Sequence, residues 1–227
     1  MPTDILEEAR LFLFHFLQGN HNSNDSRHSW RRSWEFAVLH SLRVESAVMK
    51  ILAREEQVPS EQEIILIRLA AILHDLGRLE KKEGHAERGA KIAEKWLREE
   101  AIHRLDESDV GRVLEMIASH SSKSLHEQDP GKAILKDADT LDEIGAMSIL
   151  MSGNWVDCHS PFFFYQLRQR LIDEELPFCD QKLAILNTKG AREILMERKA
   201  FVEDYIAQLT NELQADSQIE QMLFETS

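Results

Sequence analysis

The sequence predicts an all-α protein, and three observations support this. Apolar residues recur at three- and four-residue intervals almost throughout, which is the period of a helix face. No stretch shows the strict apolar–polar alternation of a half-buried strand. Glycine and proline, the residues that interrupt helices, number only 9 and 5 among 227. With 43% apolar and 30% charged residues, the composition is that of a globular chain long enough to bury its own core. No internal repeat or proline-rich linker divides it. The expectation is a single domain over 1–227 with a core at about 30–152, on which an N-terminal helix (4–18) and C-terminal helices (161–224) pack.

The first helix is expected from Asp4, where Glu7 completes a capping-box spacing, to just before Gly19. The polar run NHNSNDSRHS then reads as a loop. A second helix is expected over Trp30–Glu56, and a third from Ser60, with Glu63 at capping-box spacing, to Gly77 as its C′ residue. Further helices are expected over Gly84–Glu100, over Ser108–His120, and from Gly131, after Pro130, to Met151. A short helix near Pro161–Asp173 and a long one after Thr188 complete the chain. In the last, Ile194, Leu195, Phe201, Val202, Tyr205, Ile206 and Leu209 form an apolar side, suited to packing on the domain or on the partner subunit of a homodimer.

The formal net charge of −13 would repel a polyanion, so a long nucleic acid is not an expected partner. Cys158 and Cys179 form neither a CxxC pair nor a disulfide framework, which suits a reducing cytoplasm. The acidic start MPTDILEEARLFLFHFLQG reads as a helix of the mature chain, not as a signal peptide. The longest apolar tract, Ile64–Leu73, is interrupted by Arg68 and is too short to span a bilayer, so no membrane association is expected.

Four of the ten histidines continue apolar helix faces. His40 shares a face with Val44, Ala47 and Ile51, and His74 follows Ile67 and Ala70. His85 precedes Gly89, Ile92 and Trp96, and His120 follows Val113, Met116 and Ile117. Asp75 and Asp139 point the same way. An unpaired carboxylate in an apolar interior is costly, and several converging imidazoles are hard to satisfy with hydrogen bonds alone. A metal ion uses all their lone pairs, because imidazole nitrogen and carboxylate oxygen are common metal ligands.

Three segments, HSLRV with His40, AAILHDLGR with His74 and Asp75, and KDADTLDEIG with Asp139, resemble the ordered signature of the HD superfamily of metal-dependent phosphohydrolases. The resemblance runs from about Trp34 to Met151 and implies a helical domain with the metal between its central helices. Asp137 competes with Asp139, but residues two apart on a helix face nearly opposite ways, and the family's ADxL pattern selects Asp139. Asp137 is then left as a second-layer or solvent-facing residue. GHAERGAKIA and MIASHSS resemble the segments that hold a second metal in some members, implying His85 and His120 as its ligands with Asp75 bridging. The alternative is that these two histidines bond only to a substrate phosphate. FCDQKLAILNTKGAREILMERKAF is similar to the C-terminal segment of a bacterial branch that includes nucleotide pyrophosphohydrolases. FAVLHSLRV lacks the extra His-Asp dipeptide usual in that branch.

The family resemblance implies hydrolysis of a phosphate ester or anhydride on a small substrate such as a nucleotide. A metal-activated water would attack, and Asp75 would orient or deprotonate it while ligating. Arg43, Arg78 and Lys81 are candidates to hold phosphate, with solvated surface charge the simpler reading for Lys81 and Lys82. The ligand types admit Fe, Mn, Ni or Zn, and also Mg, as one or two ions. A di-iron oxygenase and a non-catalytic nucleotide-sensing module remain the alternatives, the second weakened because no ligand is missing.

Overall fold

A computed structural model of the chain describes residues 4–20, 28–78, 83–99, 104–122, 127–214 and 222. These residues are helical, with no β-sheet among them. The chain divides into two compact units, Met1–Asp142 with Ala184–Ile194, and Glu143–Leu183 with Leu195–Ser227. No helix among the described residues is long and apolar enough to cross a membrane.

The first unit contains α1 (Ile5–Leu17), a 3-10 turn (Ser29–Arg32), α2 (Trp34–Leu52), α3 (Glu61–Leu73), α4 (His85–Glu99), α5 (Glu107–Ser119) and α6 (Pro130–Leu141). Its centre is α3, which packs against α1, α2, α5 and α6. That position follows from sequence: Leu66, Ile67, Leu69, Ala70, Ala71, Ile72 and Leu73 are all buried, so the second half of α3 is apolar around most of its circumference. Arg68 interrupts this run and turns to Glu45 of α2, which also receives Arg10 of α1 (Nε–Oε2 2.9 Å), so one buried carboxylate ties three helices. Arg112 of α5 similarly bridges Glu63 of α3 and Asp129, the N-cap of α6.

Side-chain caps set most helix starts. Asp4 accepts from Leu6 N, Ser60 from Glu63 N, Asp106 from Asp109 N and Asp129 from Lys132 N, each satisfying a backbone donor that a first helical turn leaves unpaired. The expected helix over Trp30–Glu56 is instead split, because Ser33 is extended (φ −85°, ψ 148°) and caps α2 through its bond from Phe36 N.

Other boundaries also differ from expectation: α2 ends at Leu52, short of Glu56, and a helix occupies Leu176–Ile185, where none is expected. The third helix ends at Leu73, not at Gly77, and residues 74–78 continue as tight turns through Leu76 N–Leu73 O and Arg78 N–Asp75 O. Gly77 does not take a left-handed cap conformation. It is needed for space, since a Cβ there would lie 2.5 Å from His85 O and 2.8 Å from Gly89 N. The helix expected over Gly131–Met151 breaks after Leu141, where Asp142 turns extended (ψ 141°) and Glu143 and Gly145 take positive φ of 65° and 106°.

The second unit holds α7 (Ala146–Gly153), α8 (Phe163–Arg170), a π-helical turn (Leu171–Glu175) and most of α9 (Leu176–Ile185) and α10 (Lys189–Glu212). Ile149, Leu167, Leu171, Val202 and Ile206 form its core, with Phe163, Leu176 and Tyr205 against them. Phe201, expected on the apolar side of the last helix, is 51% exposed.

Candidate metal centre

Five helices of the first unit bring His40, His74, Asp75, His85, His120 and Asp139 into one cluster. His74 and His120 each stand immediately past a helix, as the C-caps of α3 and α5, and His85 opens α4. His40 lies within α2, and Asp139 in the last turn of α6. His74, Asp75 and His120 are at most 1% exposed, whereas the side chains of His40, His85 and Asp139 are 13 to 14% exposed and form the open side. The close approach of Gly77 and Gly89 brings the start of α4, and with it His85, against the turn that carries Asp75; a Cβ on Gly89 would in turn lie 3.0 Å from His74 O.

The two oxygens of Asp75 face different partners. Oδ2 lies 3.3 Å from His40 Nε2 and 3.8 Å from His74 Nε2, both of which lie at those same distances from Asp139 Oδ1. Oδ1 lies 3.3 Å from His85 Nε2 and 3.6 Å from His120 Nε2. His40 and His74 approach through Nε2 atoms 3.2 Å apart, and His85 and His120 through Nε2 atoms 3.1 Å apart.

Proton placement decides what this cluster can bind. A carbonyl oxygen only accepts, so His74 Nδ1–H donates to Ala71 O (2.8 Å) and His120 Nδ1–H to Ile117 O (2.7 Å). His40 Nδ1 likewise donates to the Asp142 carboxylate at 2.6 Å. In their neutral forms all three imidazoles therefore present a bare Nε2 lone pair to one another and to carboxylate oxygens. Asp75 Oδ1 is buried and accepts no hydrogen bond. Lone pairs aimed at one point call for positive charge between them, a metal ion or a shared proton.

The spacing fits that requirement. Ligand bonds of about 2.0–2.2 Å place the ligand atoms of one ion about 3.0–3.5 Å apart, close to the 3.1–3.8 Å observed. Imidazole and carboxylate donors suit a divalent metal, and the cluster is a site for one.

The electrostatics agree. Burial pushes His74 down to about 3 against the pull of Asp75, which keeps it neutral and able to ligate. Burial opposes charge on His40, but its bonds to Asp139, Asp142 and Asp75 outweigh this and raise its pKa well above the ordinary value. Burial likewise opposes charge on Asp75, yet His74, His120, His40 and Arg78 hold its carboxyl well below the usual range. The anionic pocket favours positive charge within it.

The other residues singled out in the sequence have clear places. Arg78 Nη1 lies 3.1 Å from Asp75 Oδ2 while its side chain stays 45% exposed. Arg43 gives Nε and Nη2 to the two oxygens of Asp142 at 2.7 and 2.9 Å, so the role of phosphate holder has a competitor. Lys81 and Lys82 lie outside the described residues. Asp137 is not solvent-facing: it is 2% exposed and accepts from Asn187 N, Thr188 N and Thr188 Oγ1. Asp142 escaped the sequence reading, although it sits one turn after Asp139 and three residues before Gly145, a glycine that announces the helix break.

Residues 38–144 match the profile of the HD domain, a stretch that contains the whole cluster. No curated protein matches the sequence significantly. Among solved structures, a predicted HD superfamily hydrolase from an uncultured Thermotogales bacterium is similar over 92% of this chain and 93% of its own, with 23% identity and a TM-score of 0.61. YpgQ of Bacillus subtilis in complex with ADP is similar over 92% and 95%, with 20% identity and a TM-score of 0.56. The Lin1889 protein of Listeria innocua is similar over 93% and 99%, with 20% identity and a TM-score of 0.54. These likenesses extend the shared fold to nearly the whole chain, and its residues 38–144 are an HD domain.

Proposed function

We propose that this protein is a metal-dependent phosphohydrolase that cleaves an ester or anhydride bond of a small, nucleotide-like phosphorylated substrate. The observation that carries this reading is the convergence of bare imidazole nitrogens on two carboxylates, one of which has an oxygen without a hydrogen bond. His40, His74, Asp75 and Asp139 would hold one ion, and Asp75, His85 and His120 a second. A divalent cation held there supplies activation of water near neutral pH and neutralises charge on the phosphoryl oxygens.

The chain's own groups do the rest. Asp75 orients the attacking water, and the exposed part of Arg78 beside it is placed to bind a phosphoryl oxygen. The open side formed by His40, His85 and Asp139 is where substrate enters. A small substrate suits a chain of net charge −13 better than a polyanion does. The nucleotide class is supported by the ADP bound to the similar YpgQ. Ligand type alone does not choose among iron, manganese, nickel, zinc and magnesium.

The test is to strip the protein with a chelator, re-add each metal singly, and assay ADP, other nucleotides and p-nitrophenyl phosphate. Hydrolysis lost with the metal and restored by at least one of these ions is the expected result. Full hydrolysis in metal-free protein contradicts the proposal.

A further inference from the structure

The imidazoles of the cluster are held in two different ways. His74 and His120 stand at helix ends and bond the carbonyl three residues earlier, a partner the backbone provides there without help from sequence. His40 lies within α2, where helical bonds occupy the carbonyls, and its Nδ1 is held by a side chain 102 residues away, Asp142 Oδ2 at 2.6 Å. Asp142 reaches it because α6 stops at Leu141 and the next residue turns extended. Arg43 fixes the carboxylate in turn through its two-nitrogen grip, and its Cζ lies 5.2 Å from the centroid of the Phe36 ring. Phe36, His40 and Arg43 are spaced four and three apart on α2, so one helix face carries the ligand and the support for its partner.

We propose that Asp142 is a positioning residue that fixes His40 in its Nδ1–H tautomer, aiming Nε2 at the metal, and that Arg43 holds Asp142 in place for this purpose. The inference rests on reading the cluster as a metal centre. A carboxylate behind a ligating imidazole sets the ring's orientation and raises the basicity of the other nitrogen. Asp142 acts through His40, so its effect must depend on His40. Arg43 thereby has a function that needs no contact with substrate.

The test compares zinc affinity, by competition with a chromophoric chelator, in the wild-type chain, Asp142→Asn, Arg43→Met, His40→Ala and the double variant His40→Ala/Asp142→Asn. An amide in place of Asp142 can turn its NH2 toward Nδ1 and drive the ring to the Nε2–H tautomer, which cannot ligate. Asp142→Asn is expected to weaken zinc binding about 10–100-fold, and Arg43→Met by less, while Asp142→Asn costs nothing further once His40 is alanine. Long-range ¹H–¹⁵N correlation spectra of the zinc-loaded chain should show the Nδ1–H form of His40, and its loss in Asp142→Asn. Unchanged affinity in Asp142→Asn, or a cost that persists without His40, overturns the proposal. If Asp142→Asn does not fold, Arg43→Met decides, and wild-type affinity there overturns it. A wild-type chain that binds no zinc or other divalent ion overturns the metal centre itself, whereas normal binding with no effect of these variants overturns only the positioning role.

Discussion

Asp75 and Asp137 are almost equally buried, at 1% and 2% exposure, yet their surroundings are opposite. Asp137 is saturated by donors of this chain: two backbone N–H groups, a hydroxyl and, at 3.3 Å, the Asn187 amide. Burial still raises its pKa against the pull of those donors. Asp75 has one oxygen without any hydrogen bond, and neutral His120, whose Nδ1–H is taken by Ile117 O, turns a bare Nε2 toward it. Burial alone therefore says little about function. A buried carboxylate surrounded by donors anchors structure, here the start of α10 on α6, whereas one surrounded by acceptors is arranged for a cation.

The largest expected contrast comes from exchanging each for its amide. Asp75→Asn removes a charge shared by both ends of the cluster, and metal and metal-dependent hydrolysis should fall to background with helicity by circular dichroism retained. Asp137→Asn should keep its metal and lose about 1–3 kcal/mol of stability, because an amide cannot accept from all the donors aimed at it. Urea unfolding and metal analysis of the two variants measure both effects. A metal-loaded Asp75→Asn would erase the distinction.

A second contrast separates the two ends of the cluster. The double variant His85→Ala/His120→Ala should retain the ion at His40, His74, Asp75 and Asp139 and lose the other, lowering the metal content from two ions per chain to one. Gly77→Ala should act in the same direction without touching a ligand. Its Cβ cannot fit 2.5 Å from His85 O, so α4 must withdraw and carry His85 away from Asp75. Unaltered metal content in Gly77→Ala would show that the glycine joint does not set that spacing.

The smallest expected effect is electrostatic and lies outside the cluster. The Arg112 guanidinium is the largest influence on Asp129 and holds its carboxyl below the ordinary value of 3.8, so Asp129 stabilises the fold fully above its unfolded pKa and loses this as pH falls through its lower folded value. Asn also caps helices well, so Asp129→Asn isolates the charge from the cap. The wild-type chain should be the more stable at pH 7, with the difference narrowing as pH drops below 3.8, measured by urea midpoints across pH.

Much of the first unit was legible in the sequence because local signals coincide there with tertiary ones. Caps at Asp4 and Ser60 start helices as their spacing predicts, and the histidines on apolar faces converge as their periodicity predicts. Local signals failed where a long-range contact fixed the backbone. Gly77 reads as a helix cap but provides room for α4, and the break after Leu141 exists where Asp142 meets His40 and Arg43, about a hundred residues earlier. Asp137 was separated from Asp139 by helical geometry, but its partners at Asn187 and Thr188 lie fifty residues away and leave no periodic trace.

The most direct measurement is metal content, by elemental analysis, of the purified wild-type, Asp75→Asn and Asp137→Asn proteins, assayed in parallel for nucleotide hydrolysis. Divalent metal and hydrolysis present in the wild-type and Asp137→Asn chains, and both absent from Asp75→Asn, is the predicted result. Metal-free wild-type protein that hydrolyses nucleotides at full rate, or equal metal in all three, would contradict it.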